Sequence, residues 1–335
     1  MGLKSKFALG VLLASMAMPV GAMAQEITVG LSLPENMAGL DFANGMYETF
    51  RDEVEANSDL TVNLVYGGAL GSPNDRLAQM RRGLIQMSDT ADGNLATVFS
   101  DVMVFNTPYL FPSEEVAWEV LDGPLGDKLA QSLLDKTGIR ALGWWESGGF
   151  KHFSANREIH SPADMDGLKI RVLGPLATIP VEAMGASAAP ISFGELYTAL
   201  QTRVVDGQDN SVAVFKLVNL FEVQDTLALT GHVYAFGPLG INNAFYEGLT
   251  DPQRAVIDAA AEKAIAFNRE TSRALEADAI AFVADKGVNV ITLTDDEKAA
   301  FRDVMQPAAI EWLRTEMQTP ELIDEALAAV EAAGK

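Results

Sequence analysis

The chain has 335 residues, and its 46 Asp and Glu outnumber its 24 Lys and Arg to give a formal net charge of −22, which argues against nucleic acid and anionic lipid surfaces as partners. Cysteine is absent, which excludes disulfides, thiolate metal sites and cysteine nucleophiles. A chain of this length buries a large core and predicts two domains.

The N-terminus has the pattern of a secretory signal peptide. Lys4 and Lys6 precede an apolar run over residues 7–20, and small residues precede a cleavage position after about Ala24. The run is shorter than the roughly 20 apolar residues that span a bilayer. We therefore expect residues 1–24 to be removed and the mature protein to be exported.

Strands and helices alternate in the first part of the mature chain. Residues 27–33 alternate apolar and polar side chains as a strand does, and residues 42–54 have apolar side chains at helical spacing. A second strand over residues 60–66 enters a glycine-rich turn, after which Ser72 is predicted to cap a helix. The turn, residues 67–71, matches neither a P-loop nor a dinucleotide fingerprint, so we interpret it as structural. The βαβα order predicts an α/β protein with a mixed or parallel sheet.

The later elements follow from caps, glycines and periodicity. They are a helix opened by Ser113 and interrupted at Gly123-Pro124, a short helix over 161–167, a strand over 168–172, a helix capped by Ser192 and Glu195, a strand near 227–242, a helical pattern over 251–286, a strand over 288–293, and helices opened by Thr294 and Thr319. The pattern over 251–286 is long for a globular helix, so it is either one helix that braces two domains or two helices.

Arg171 lies in the middle of a predicted strand. Leu168, Ile170 and Val172 share one face of that strand, which leaves Lys169 and Arg171 on the other face. A strand arginine on a surface commonly pairs with an acidic neighbour. In a cleft, its planar guanidinium instead binds a carboxylate through two parallel hydrogen bonds.

Other candidate residues each have a structural alternative. Asn210 ends a Gly-Gln-Asp-Asn turn, and its amide can either close the loop or contact a bound oxygen. Lys151 is either a solvated lysine or a second cation beside the cleft. Asp75 matches the third position of a capping box begun by Ser72. Trp145 and Tyr234 are typical of a core or a cleft wall.

Catalytic and metal-binding patterns are missing from the sequence. It has no Gly-x-Ser-x-Gly elbow and no His-Glu-x-x-His motif, and its three histidines lack metal-ligand spacing. We therefore expect no enzyme activity, no metal and no cofactor. The alternative is an enzyme whose catalytic residues are distant in the sequence and are brought together only by the fold.

Seven motifs occur in a characteristic order along nearly the whole mature chain. They are Leu70-Gly-Ser72, Leu110-Phe-Pro112, Gly149-Phe-Lys-His-Phe153, the segment from Ser161 to Val172, the segment from Ser192 to Gln201, Val205-Asp-Gly-Gln-Asp-Asn210 and Thr230-Gly-His232. In these motifs the chain resembles the extracytoplasmic solute-binding proteins of tripartite ATP-independent periplasmic (TRAP) transporters, of the DctP type.

The resemblance implies a two-domain periplasmic binding protein fold, with mixed sheets flanked by helices, a hinged ligand cleft and a long helix that crosses both domains. We expect domain I to contain residues 25–148 and about 238–278. Domain II then contains residues 149–237 and about 279–335.

The resemblance also implies the binding residues. Arg171 stands where the family's arginine pairs with the substrate carboxylate, and Asn210 stands where an amide contacts the ligand. Lys151 replaces a frequent arginine, and Asp75 replaces a frequent glutamate, so their ligand contacts stay open. The further residues expected at the ligand are Leu173, Val212, Tyr234 and Trp145.

We therefore expect a monomeric periplasmic protein that captures a small organic acid and delivers it to the integral membrane subunits of a TRAP permease. The alternative is a binding protein of the same fold that signals to a membrane receptor. Dicarboxylates, sugar acids, keto acids and zwitterions such as ectoine all fit a single arginine, so the sequence leaves the ligand open.

Overall fold

The computed structural model describes residues 25–36 and 42–334, so the predicted signal peptide lies outside the described residues. The strands in this part of the chain are β1 Glu26–Gly30, β2 Thr61–Val65, β3 Met87–Ser88, β4 Ile139–Ala155, β5 Lys169–Val172, β6 Ser187–Pro190, β7 Gly207–Asn210, β8 Thr226–Asn242 and β9 Asn289–Ile291. The helices are α1 Asn44–Asn57, α2 Pro73–Arg81, α3 Asp92–Leu95, α4 Glu114–Leu121, α5 Pro124–Thr137, α6 Thr178–Ala183, α7 Leu196–Gln201, α8 Val212–Leu217, α9 Asn243–Glu247, α10 Asp251–Asp285, α11 Asp295–Glu316 and α12 Leu322–Ala333.

The strands form one mixed sheet in the order β2-β1-β3-β8-β4-β7-β5-β6, with β9 paired to β8. β1, β2 and β3 pair in parallel at one end, and β5, β6 and β7 pair in parallel at the other. Between them, β4 and β8 are 17 residues long each and pair antiparallel through three register irregularities. Helices cover the sheet, which confirms the predicted α/β class.

Helix α10 is one continuous helix of 35 residues. It packs against α1 in the first part of the chain and against α8 and β9 in the second, and the alternative of a single helix is correct. Asn268, in its middle and fully buried, fastens it to β4. The Asn268 Oδ1 accepts a hydrogen bond from the Glu146 N–H at 2.7 Å, and its Nδ2 donates to the Glu146 carbonyl at 3.0 Å.

Predicted cap residues begin three of the helices in the described ranges, which are α2, α4 and α11. Ser72 with Asp75, Thr250 with Gln253, and Thr294 with Glu297 form reciprocal capping boxes. The capping box predicted at Ser192 and Glu195 is wrong: in the described structure Ser192 makes no capping hydrogen bond. The chain enters α7 through a short 3₁₀ helix, Phe193–Glu195, so Glu195 does not stand on the first turn of an α-helix.

The last helix returns to the first part of the chain. α11 packs against α6, whereas α12 packs against α4 and α5. Leu322, Ile323 and Ala326 of α12 are buried in the cluster that contains Leu125 and Leu129 of α5. The boundaries of the two domains stay a prediction. No helix in the described ranges is long and apolar enough to cross a membrane.

Candidate functional site

Arg171 is buried on β5, between β6 and β7, with 1% of its surface exposed. The predicted apolar face is confirmed, because Ile170 and Val172 pack in a cluster with Phe301 of α11. Of the two alternatives for Arg171, the surface position is excluded by its burial. Both strand neighbours flank it and Ile191, directly after β6, lies against its side chain, so only Lys169 at the strand end is exposed.

The guanidinium of Arg171 is incompletely satisfied. Its Nε donates to the Ile191 carbonyl at 2.9 Å, but its buried Nη2 has no hydrogen-bond partner among the described residues. Burial lowers the pKa of Arg171, against the opposing influence of the Asp209 carboxylate. An unpaired buried donor of this kind costs about 1–3 kcal/mol. Such a donor is therefore a candidate ligand contact.

Lys151 and two acids form a charged group near Arg171. Lys151 on β4 pairs with Asp92 of α3, with 3.4 Å between its Nζ and the carboxylate oxygen. Asp209 on β7 interacts electrostatically with both Lys151 and Arg171. Burial opposes the charged form of Lys151, but Asp92 and Asp209 outweigh it and raise its pKa. The two cations thus share this region with two buried carboxylates.

His232 on β8 supports Asp209. Its ring stacks on Phe153 with 4.1 Å between centroids, and its Nε2 lies 3.5 Å from the Asp209 carboxylate. Its Nδ1 lies 2.7 Å from the Thr230 hydroxyl. Burial lowers the pKa of His232 against the opposing influence of Asp209, which favours a neutral ring that donates from Nε2 to the carboxylate. Burial raises the pKa of Asp209, but the His232 hydrogen bond and the charge of Lys151 outweigh it and bring that pKa to about 2.

Leu173 lines two separate cavities. The first has a volume of about 40 Å³ and is lined by Lys151, Asp92, Asp209 and His232. The second has a volume of about 100 Å³ and carries polar side chains on largely aromatic and aliphatic walls. Its members include Phe42, Asn44, Tyr47, Asp89, Asn94, Trp145, Ser147, Phe193 and Asn210.

Asn210 and Trp145 face the second cavity, as a ligand contact requires. The Asn210 Nδ2 donates to the Gln208 amide oxygen at 2.5 Å, which leaves the Asn210 carbonyl oxygen available as an acceptor. Trp145 donates its indole N–H to the Pro238 carbonyl at 3.2 Å, so its ring is fixed as a wall.

Tyr234 and Val212 lie elsewhere: neither lines the two cavities within the described structure. Val212 is buried in a cluster with Phe215 and Leu220. The Tyr234 hydroxyl donates to the Glu146 carboxylate at 2.9 Å and accepts from the Trp118 indole. Both residues are built into the surrounding structure, and their contact with a ligand stays a prediction.

Asp75 is exposed and serves its capping box. Its carboxylate accepts from the Ser72 N–H at 3.0 Å and from the Ser72 hydroxyl at 2.7 Å, and these bonds lower its pKa. The neighbouring Arg76 is buried, and its Nη2 pairs with Asp89 at 2.6 Å while its Nη1 donates to the Gly71 carbonyl. Arg76 therefore fixes the glycine-rich turn, in agreement with the structural interpretation of that turn.

Sequence reasoning missed Asp92, Asn94 and Asp209 as site residues. Asp209 directly precedes Asn210 in a recognised motif, and His232 ends another, so the motifs offered a signal for both. Asp92 and Asn94 belong to a four-residue helix without a distinctive pattern. In the described part of the chain, no group of three or more His, Cys, Asp or Glu side chains is arranged to hold a metal ion.

A mixed sheet joined through two long strands, one long helix, and cavities near an arginine whose buried Nη2 lacks a partner among the described residues are typical of a ligand-binding protein of the α/β class. The model of the bacterial extracellular solute-binding proteins, family 7, matches residues 39–315. The chain belongs to this family, and the predicted resemblance to TRAP transporter solute-binding proteins is confirmed.

Characterised relatives include the 2,3-diketo-L-gulonate-binding periplasmic protein of Escherichia coli, which is 31% identical over 74% of this chain and 75% of that protein. The sugar acid binding protein of Advenella mimigardefordensis, solved with galactonate, has a TM-score of 0.86 and 29% identity over 92% of this chain and 99% of that one. A TRAP periplasmic solute-binding protein of Shewanella oneidensis, solved with succinate, has a TM-score of 0.84 and 25% identity over 93% of this chain and 100% of that one.

Proposed function

We propose that the protein captures a small organic acid in the periplasm by binding its carboxylate to Arg171. The observation that supports this most directly is the Nη2 of a buried arginine without a protein partner. A ligand carboxylate supplies that partner through a charge-assisted hydrogen bond, and the guanidinium plane sets its orientation. The acids bound by the relatives from A. mimigardefordensis and S. oneidensis support the same ligand class.

The rest of the ligand lies in the second cavity, against Asn210, Trp145 and Leu173. Tyr47 of the predicted domain I and Phe193 of the predicted domain II both line this cavity. A ligand held there contacts both domains, so it binds better to the form in which the two walls are close. Binding thereby shifts the population toward that form without any chemical change in the ligand.

The proposed partner of the liganded form is the integral membrane part of a TRAP permease, which receives the acid. This proposal rests on the family and on neighbours that are TRAP periplasmic solute-binding proteins. Export through a signal peptide cleaved after about Ala24 places the mature protein on the correct side of the membrane. N-terminal sequencing of the secreted protein tests the cleavage position.

The test of binding is a thermal-shift screen of the mature protein against a panel of organic acids. A ligand at ~100 times its dissociation constant stabilises the folded state by about 2.7 kcal/mol. Flat melting temperatures across all carboxylates contradict the proposal.

Calorimetry then tests the role of Arg171. A charge-assisted bond to the Nη2, at about 1.5–3 kcal/mol, predicts that Arg171→Ala weakens binding by about 10- to 100-fold. Arg171→Lys keeps the positive charge but lacks the planar guanidinium donors, so we expect a smaller loss of affinity than in Arg171→Ala. Arg82→Ala removes the same charge from an exposed position and serves as the matched control. Unchanged affinity in Arg171→Ala contradicts the proposal that Arg171 binds the ligand carboxylate.

A further inference from the structure

We propose, on the basis of the proposed function, that the site selects monocarboxylates with an uncharged polar body and discriminates against dicarboxylates. The argument concerns the charges that already lie around the two cavities. It deepens the ligand class and leaves the role of Arg171 as stated above.

Lys151 is the only Lys or Arg that lines either cavity within the described ranges, and its charge is already paired. Its Nζ lies 3.4 Å from the carboxylate of Asp92, which is 2% exposed. Asp92 is itself held in place, because it also accepts a hydrogen bond from the Asn106 amide. Lys151 is therefore committed to Asp92 and has little attraction left for a second ligand carboxylate.

The negative charge of Asp209 offsets the positive charge of Arg171. Asp209 lies among Arg171, Lys151 and His232, and its carboxylate stays charged beside them. Arg171 and Lys151 supply two positive charges, while Asp92 and Asp209 supply two negative charges, so the region is formally neutral before a ligand binds. One ligand carboxylate finds the free Nη2 of Arg171, whereas a second one enters a buried region without an unpaired cation.

Among the described residues, the second cavity offers no alternative cation. Its charged lining residue is Asp89, which already pairs with Arg76 at 2.6 Å. Its other polar groups are neutral amides and hydroxyls, including Asn44, Asn94 and Ser147. Such groups exchange hydrogen bonds with hydroxyls or other uncharged polar groups, and the ring of Trp145 packs on the ligand's carbon skeleton.

The experiment compares ligand pairs that differ only at the second end. Galactonate and galactarate, gluconate and glucarate, and 4-hydroxybutyrate and succinate are titrated calorimetrically into the mature protein at neutral pH. We expect the monocarboxylate of each binding pair to bind at least about tenfold more tightly than its diacid. A diacid that binds as tightly as its partner, or more tightly, overturns the inference while the carboxylate clamp stands. If no member of any pair binds and the acid panel is also flat, the proposed function fails as well.

A charge variant tests the physical cause. Asp92→Asn removes the partner of Lys151, so we expect the preference for the monocarboxylate to shrink or to reverse. Asp52→Asn makes the same change at an exposed position on α1 and must leave the preference unaltered. An unaltered preference in Asp92→Asn rejects Lys151 neutralisation as the cause. If Asp92→Asn does not fold, the wild-type ligand pairs still decide the inference.

Discussion

Glu146 gives a stability prediction that depends on pH. It lies on β4 with 1% of its surface exposed, and it accepts a hydrogen bond from the Tyr234 hydroxyl at 2.9 Å. Burial and the nearby Glu114 carboxylate raise the pKa of Glu146 to about 8, and the more distant Glu276 acts in the same direction. The folded protein therefore holds a proton on Glu146 that the unfolded chain releases near pH ~4.3.

The sign of the effect follows from this difference. Because the folded state binds the proton more tightly, Glu146 contributes its stabilisation fully below about pH 4, and that contribution is lost as pH rises toward about 8. The folded and unfolded pKa values differ by nearly four units. At about 1.4 kcal/mol per unit, Glu146 therefore loses at most ~5 kcal/mol of its contribution to the free energy of unfolding. Glu146→Gln keeps the shape of the side chain but cannot titrate. The stability of this variant relative to wild type must therefore increase between about pH 4 and pH 8.

Urea unfolding at pH 5, 6.5 and 8 measures the effect in wild type and Glu146→Gln. We expect the free energies of unfolding to differ by only about 1 kcal/mol at pH 5, and the variant to be more stable by several kcal/mol at pH 8. Glu270→Gln alters an exposed acid on α10 and serves as the control. A difference between Glu146→Gln and wild type that does not change with pH refutes the reasoning.

Three further predictions concern separate parts of the fold. A Cβ at Gly30 lies 2.5 Å from the Arg76 Cδ, so Gly30→Ala destabilises by about 1–3 kcal/mol in urea unfolding, and an unchanged midpoint contradicts the predicted contact. Thr294→Ala removes the capping box with Glu297 and costs about 1 kcal/mol, whereas Thr294→Ser retains it; equal losses in both variants argue against the cap. Burial lowers the pKa of His152 to about 3, so its ring signals in NMR stay constant from pH 7.5 to 5, and a midpoint near ~6.5 is the opposing result.

The elements of this fold were largely predictable because their signals are local. Capping boxes at Ser72 and Thr294 and the alternation over residues 168–172 fix helix starts and one strand face without any tertiary information. Ser192 shows the limit of this approach. The same residue pattern led there into a 3₁₀ turn, because a cap motif does not determine the backbone path that follows it.

The site was predictable only in part, since its decisive contacts join distant segments. The sequence indicated Arg171 as a clamp and Lys151 as a second cation. It gave no sign that Lys151 pairs with Asp92, because 59 residues separate them and the pair exists only where α3 meets β4. Burial of Arg171 likewise depends on the pairing of β5 with β6 and β7. The periodicity within β5 gives no information about these neighbours.

The most direct test of the central claim is a crystal structure of the mature protein with the tightest acid found in the screen. We expect a carboxylate oxygen of the ligand at about 2.7–2.9 Å from the Arg171 Nη2, with the ligand body against Asn210 and Trp145. A carboxylate bound to Lys151 or to the surface, with the Arg171 Nη2 still without a ligand oxygen, contradicts the account.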